Sequence, residues 1–213
     1  MTVVVLDNVI DSAYTCLTDE IATHFADVTV VDVPNGETPP PLEDIDAALI
    51  TGSSAGVYEA AEHPWIDAER DLVAELVERE TPTLGICFGH QILNDALGGT
   101  VESRTLTAGL VRGEFDDDDP LFDCVDPVVP VLHGDHVVEL GAGMERIGTA
   151  SHCRNFATRH RSAPVWTVQY HPELTPRIVD EQVKPTFGWE SNGLSYAEST
   201  AIRTIINFRR LLG

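Results

Sequence analysis

Lysine is almost missing from this chain: Lys184 is the only one. The 13 Lys+Arg residues face 35 Asp+Glu, a formal net charge of −22. With no basic patch to neutralise phosphates, a nucleic-acid partner is disfavoured. An acidic, lysine-poor surface suits a protein dissolved in concentrated salt, where self-repulsion is screened, which makes a halophilic source the expectation. The alternative is an acidic surface that docks a basic partner. No apolar run is long enough for a membrane span. The first residues, Met1 to Asp7, lack the basic region and long apolar stretch of a secretory signal. Cys16, Cys87, Cys124 and Cys153 are widely spaced, with no C-x-x-C pair of the zinc or redox type. No phosphate-binding loop of the G-x-x-x-x-G-K-[ST] type occurs. These absences lead us to expect a cytoplasmic, reduced protein with free thiols, acting away from membranes.

An apolar fraction of 43% over 213 residues is ordinary for a globular chain and enough for one full core. Thr2 to Leu6, Asp27 to Val33 and Ile45 to Thr51 read as strands, the first a continuous β-branched run of the kind buried in parallel sheets. Tyr14 to Phe25 and Trp65 to Arg79 carry helical apolar spacing. Glu62, Asp67 and Glu69 suit the dipole at the second helix's start. Strand and helix alternate, which argues for a doubly wound α/β fold with a mostly parallel sheet and flanking helices. Thr100 to Phe115 reads as strands of a hairpin or meander, and Pro127 to Leu132, Val137 to Leu140, Glu145 to Thr149 and Asn155 to Arg159 as further strands or turns. The segment 175–198 is polar and irregular. A lid, an oligomer contact or an inert loop would each fit it. Residues 199–212 read as a closing helix. One domain, 1–213, is expected.

The chemistry concentrates in two stretches. Thr81 to Gln91 reads as a strand, a sharp turn and a helix start, with Cys87 between Gly85 and Gly89. A nucleophile on such an elbow is exposed at the carboxyl end of a sheet. It also sits at a helix N-terminus, where partial positive charge favours a thiolate. The backbone N–H of Phe88 could face a developing oxyanion. A buried structural cysteine is the plainer reading of this stretch alone. Downstream lies Gln169-Tyr170-His171-Pro172-Glu173, after the strand pattern Pro164 to Val168. In an extended segment His171 and Glu173 would point to the same side. A base with its orienting carboxylate is what a Cys nucleophile needs.

Together, Gly-Ile-Cys-Phe-Gly-His-Gln and Gln-Tyr-His-Pro-Glu resemble the class I glutamine amidotransferase family, in the manner of GMP synthase glutaminase domains and their stand-alone relatives. The resemblance runs from roughly Leu6 to Glu173. It implies a flavodoxin-like fold, a catalytic Cys87, His171 and Glu173, and no cofactor. It also implies an oxyanion hole from the backbone N–H groups of Ser53 and Phe88, with Gly52 beside them. Here the chain departs from the pattern: Gly52-Ser53-Ser54 stands where GMP synthases carry Gly-Gly-Pro, while Val57-Tyr58-Glu59 is similar to the stand-alone proteins. By the same resemblance Gly52, Gln91, His133 and Asp135 belong to the glutamine site, with a backbone contact from Leu132. His133-Gly134-Asp135-His136 taken alone could suggest a metal, but no second ligand cluster accompanies it. His90 is assigned to packing or surface, and Cys153 to structure.

The implied reaction is hydrolysis of the glutamine side-chain amide to glutamate and ammonia through a Cys87 thioester. With no second catalytic domain evident, the ammonia would pass to a separate synthase chain. A free-standing γ-glutamyl hydrolase is one rival. A non-catalytic regulatory subunit that keeps the fold is another, disfavoured by the intact Cys87, His171 and Glu173.

Overall fold

The computed structural model describes all 213 residues. Its centre is a nine-stranded sheet in the order β2-β1-β3-β4-β9-β8-β7-β5-β6. The first five in that order are parallel: Val28–Asp32 (β2), Val3–Asp7 (β1), Ala47–Ile50 (β3), Thr83–Ile86 (β4) and Val165–Val168 (β9). Every residue of β1, β3, β4 and β9 is buried. These strands are covered on both faces, which is why their sequences are continuous apolar runs and not alternating ones.

Successive residues feed two cores. Val3, Val5, Leu49, Leu84 and Ile86 pack on one face with Ile21, Phe156, Tyr170 and Phe208. Val4, Leu6 and Ile50 pack on the other with Ile66, Val73, Leu76, Ile92 and Leu93. Helix α2 (Trp65–Glu78) and helix α3 (Phe88–Ala96) cover the second face. Helix α1 (Thr15–Ala22) and the C-terminal helix Arg203–Leu211 cover the first. Fully burying one such large apolar side chain contributes about 1.5–3 kcal/mol. The two-sided covering is the doubly wound arrangement expected from the alternation of elements.

The other end of the sheet is antiparallel. Cys153–His160 (β8) joins β9 to Met144–Ala150 (β7), which pairs with Thr100–Phe115 (β5), which pairs with Val128–Glu139 (β6). Here the sequence expectations need correcting. Thr100 to Phe115 is not a hairpin in itself but one 16-residue strand, and its hairpin partner is β6. The strand continues through a register irregularity between Ser103 and Thr107, the mark of a β-bulge and not of a turn. Likewise Val128 through Glu139 is one strand, so His133 to His136 lies within it and does not form a loop.

The segment 175–198 has more structure than its polarity suggests. Helical turns run from Pro176 to Phe187, and Glu190 makes reciprocal backbone bonds with β5, donating to Ala108 and accepting from Leu110. Trp189 stacks on Tyr196, whose hydroxyl donates to the Leu174 carbonyl at 2.9 Å. The closing helix starts at Arg203, later than expected. Glu69 is also corrected: it does not serve the dipole from the surface but turns inward, 1% exposed, and accepts from Asn8 Nδ2 at 2.9 Å. No helix is long and apolar enough to cross a membrane, and all four cysteines are free.

Candidate active site

The carboxyl ends of β3, β4 and β9 meet at one place, and the notable side chains gather there. After β4 the chain turns abruptly into α3, and Cys87 at the corner has φ +54° and ψ −103°. A non-glycine residue in that region costs on the order of 1–3 kcal/mol and persists only where its surroundings enforce it. Here the enforcement is visible. The Cys87 N–H donates to the Val168 carbonyl at 2.9 Å, and the Gln91 N–H to the Cys87 carbonyl at 3.1 Å. Gly85 and Gly89 face each other so closely that a Cβ on Gly85 would lie 2.5 Å from the Gly89 oxygen. Only glycine lets strand and helix approach this tightly around the corner.

His171 and Glu173 come together, though not as an extended pair. They sit in a turn after β9, closed by the Leu174 N–H donating to the His171 carbonyl at 3.2 Å. His171 Nδ1 is 2.6 Å from Glu173 Oε1, and His171 Nε2 is 3.2 Å from the Leu132 carbonyl oxygen. Both ring nitrogens therefore face acceptors, the arrangement of an imidazolium. Burial alone would lower the pKa of His171, but Glu173 and Cys87 outweigh it and hold the group well above its ordinary value. Cys87 Sγ lies 3.8 Å from the same Leu132 oxygen. Thus one backbone carbonyl of β6 faces the thiol and the imidazole together.

Gly52 completes the corner. A Cβ there would sit 3.0 Å from His171 Cε1 and 3.5 Å from Cys87 Cβ. The next backbone N–H, that of Ser53, has no acceptor within the protein. Phe88 opens α3, where the first N–H groups have no intrahelical acceptor. Two amides with unused hydrogen-bonding capacity therefore flank Cys87.

A cavity of about 540 Å³ leads to this corner, lined by Gly52, Ser53, Cys87, Gln91, Leu132, His133, Asp135 and His171 among others. Gln91 is buried, not a solvent-facing helix residue, and its Nε2 donates to the Asp135 carbonyl at 3.2 Å and to Gln169 Oε1 at 3.3 Å. His133 is pulled well below its ordinary pKa, first by burial and then by His136 and His152. Glu173 does not line the cavity; it stands behind His171, 1% exposed. His90 is fully buried, with Nδ1 2.6 Å from the Thr167 hydroxyl and a pKa pushed down to about 3 by burial, so it packs as a neutral ring. Burial drives the Cys153 thiol up to about 12, as befits an inert core residue.

Sequence reasoning missed part of the wall. Tyr58 reaches across from the loop after β3 and donates to the Asp135 carboxylate, 3.0 and 3.1 Å from its two oxygens. Ile10, Asp11, Leu106, Thr186 and Phe187 complete the mouth. The signal for Tyr58 was its place in the small-residue turn Gly52 to Glu59. The others come from distant parts of the chain, and no local pattern marks them.

The profile described as Glutamine amidotransferase class-I matches residues 4–190. A glutamine-hydrolyzing GMP synthase of Clostridium novyi (strain NT) is 30% identical over 178 residues, covering 78% of this chain but 33% of that protein. The chain therefore spans about a third of that relative's length. A subunit of the glutamine-hydrolyzing GMP synthase of Haloarcula marismortui is 30% identical over 162 residues, 74% of this chain and 80% of the relative. Among solved structures, a glutamine amidotransferase from Thermotoga maritima superposes with a TM-score of 0.79 at 22% identity, covering 100% of this chain and 98% of that one, which speaks to the fold. With a matching profile across most of its length and relatives of the same kind, the chain belongs to the class I glutamine amidotransferase family.

Proposed function

We propose that this chain hydrolyses the side-chain amide of glutamine to glutamate and ammonia, with Cys87, His171 and Glu173 as its catalytic triad, and delivers the ammonia to a separate synthase chain. The observation that carries the reading is the strained elbow at Cys87, with an imidazole beside it whose two ring nitrogens both face acceptors. His171 takes the thiol proton, leaving a thiolate paired with an imidazolium. The thiolate attacks the amide carbon. The N–H groups of Ser53 and Phe88 receive the oxyanion, a stabilisation of about 3–4 kcal/mol per donor in comparable sites. His171 Nε2–H leaves the Leu132 carbonyl and protonates the departing nitrogen, so ammonia is released and a γ-glutamyl thioester remains. A water then gives its proton to Nε2 and its oxygen to the thioester carbon, and the thiolate is expelled with glutamate. Glu173 orients the ring and stabilises its charge. Gln91, His133 and Asp135 hold the amino-acid end of the substrate.

The separate synthase is supported by two observations. Relatives of similar length are named as one subunit of a glutamine-hydrolyzing GMP synthase. Four of the seven large exposed apolar residues, Ile10, Tyr58, Leu106 and Phe187, ring the cavity mouth. Such clustering at one opening fits a surface that another protein covers.

The test is ammonia and glutamate release from glutamine by the purified chain, beside Cys87→Ala. Turnover lost in the variant is expected, alone or on adding the synthase. Where the chain is idle alone, a glutamine-like electrophile should still label Cys87 covalently. Folded protein that neither turns over nor labels overturns the reading. Faster turnover of other γ-glutamyl compounds than of glutamine, with no response to a synthase, would favour the free-standing hydrolase.

A further inference from the structure

A second cavity, about 550 Å³, lies among β5, β6 and the start of β8, and shares no lining residue with the first. Its walls are Arg104, Thr105, Thr107, His136, Val137, Val138, His152, Arg154 and Asn155. In a chain with 35 Asp+Glu, none of these is acidic. We propose that this cavity is a binding site for a small phosphate-bearing anion.

Arg154 enters none of the chain's ion pairs and is free to meet a ligand. Arg104, tethered by Glu102, faces the same space from β5. His136 Nε2 is buried without a partner. His152 Nε2 is 3.1 Å from His133 Nε2, and His133 Nδ1 is 3.2 Å from the Asp135 carbonyl. The carbonyl requires the Nδ1 proton, so His133 Nε2 accepts and His152 donates. Thr105 and Thr107 add hydroxyls. Two guanidiniums, two threonine hydroxyls and the unpartnered His136 nitrogen, on three strands, line one recess, a set of groups that suits the several oxygens of a phosphate. No three His, Cys, Asp or Glu side chains are placed together as ligands of one ion. Two arginines in one recess also fall short of the basic track that a polymer would need.

Charge balance adds a second signature. Burial first, then Arg104, depress the pKa of His136 against the opposing pull of Asp135. Burial first, then His136, depress that of His152. Burial and these repulsions hold both imidazoles below their ordinary pKa. A bound anion opposes these repulsions, so binding favours the protonated imidazoles and takes up protons.

The experiment is calorimetric titration of the full chain, at fixed ionic strength, with inorganic phosphate and with ribose 5-phosphate. Parallel titrations use Arg154→Ala and Arg104→Ala; both residues are exposed, so the variants fold. We expect saturable binding that weakens at least about tenfold in Arg154→Ala, the loss of a charge-assisted contact, with proton uptake on binding. Tighter binding of inorganic phosphate identifies the free oxyanion as ligand, and tighter binding of ribose 5-phosphate a phosphorylated organic molecule. No saturable binding of either probe overturns the proposal. So does binding that both variants leave unchanged, which would mark an adventitious ion only.

Discussion

Leu132 carries no reactive side chain, yet its carbonyl oxygen lies 3.2 Å from His171 Nε2 and 3.8 Å from Cys87 Sγ. It gives Nε2 an acceptor and fixes the ring in place; in the proposed reaction the leaving group would compete for that proton. Against burial, the charge of Glu173, 2.6 Å from Nδ1, and the neighbouring Cys87 keep the ring protonated to higher pH than an ordinary histidine. Glu173→Gln removes the Glu173 charge. Steady-state glutaminase profiles should then show the alkaline limb displaced to lower pH and kcat reduced about tenfold or more. An unmoved alkaline limb would mean that Glu173 does not set the protonation of His171. Gly52→Ala should be worse for turnover than its size suggests, because the added methyl meets His171 Cε1 at 3.0 Å. Full activity in that variant would show that the corner gives way. That Cys87, His171 and Glu173 would gather at one place was legible in the sequence because each sits in a short motif with its own local geometry. Tyr58 meeting Asp135, 77 residues away, was not, since nothing nearby encodes the encounter.

The strands of the parallel half were readable to within a residue or two, four of them because burial on both faces writes an uninterrupted apolar run. The antiparallel half was harder. Strand β5 carries five consecutive exposed residues, Glu102 to Leu106, and so polar a stretch resembles a turn until β6 is laid beside it. Helix α2 shows a similar limit: its amphipathic spacing was plain, but the inward turn of Glu69 was not. Burial raises the pKa of this carboxyl to about 8, against a lowering pull from Asn8. In the unfolded chain it ionises near 4.5, so unfolding releases a proton between those values and stability falls as pH rises through that window. Glu69→Gln fills the same space without a proton to lose. Thermal unfolding should show the variant more stable than wild type near pH 8, with the gap closing toward pH 4. A variant destabilised at every pH would mean that the carboxyl makes a bond the amide cannot.

A net charge of −22 on 213 residues sets the behaviour of the whole molecule. Self-repulsion among surface carboxylates is screened over about 10 Å at 0.1 M salt and about 3 Å at 1 M. Unfolding followed by circular dichroism should therefore give a Tm that keeps climbing into molar KCl, by about 2–4 °C for each kcal/mol recovered. A Tm that levels off below about 0.3 M, with a basic protein restoring the rest, would instead favour the docking reading of the acidic surface.

The order of strands in the sheet has a temporal side. Strand β9 lies against β4, yet between them in sequence comes the entire antiparallel half. On a ribosome, the segment with Cys87 emerges while His171 has not yet been translated, and domains consolidate from the N-terminus during synthesis. On the proposed mechanism a nascent chain would present its thiol without a base to activate it, and competence would arrive only when the last strand, β9, docks. Unfinished copies would then spare glutamine, and a truncation before β9 would leave the thiol idle.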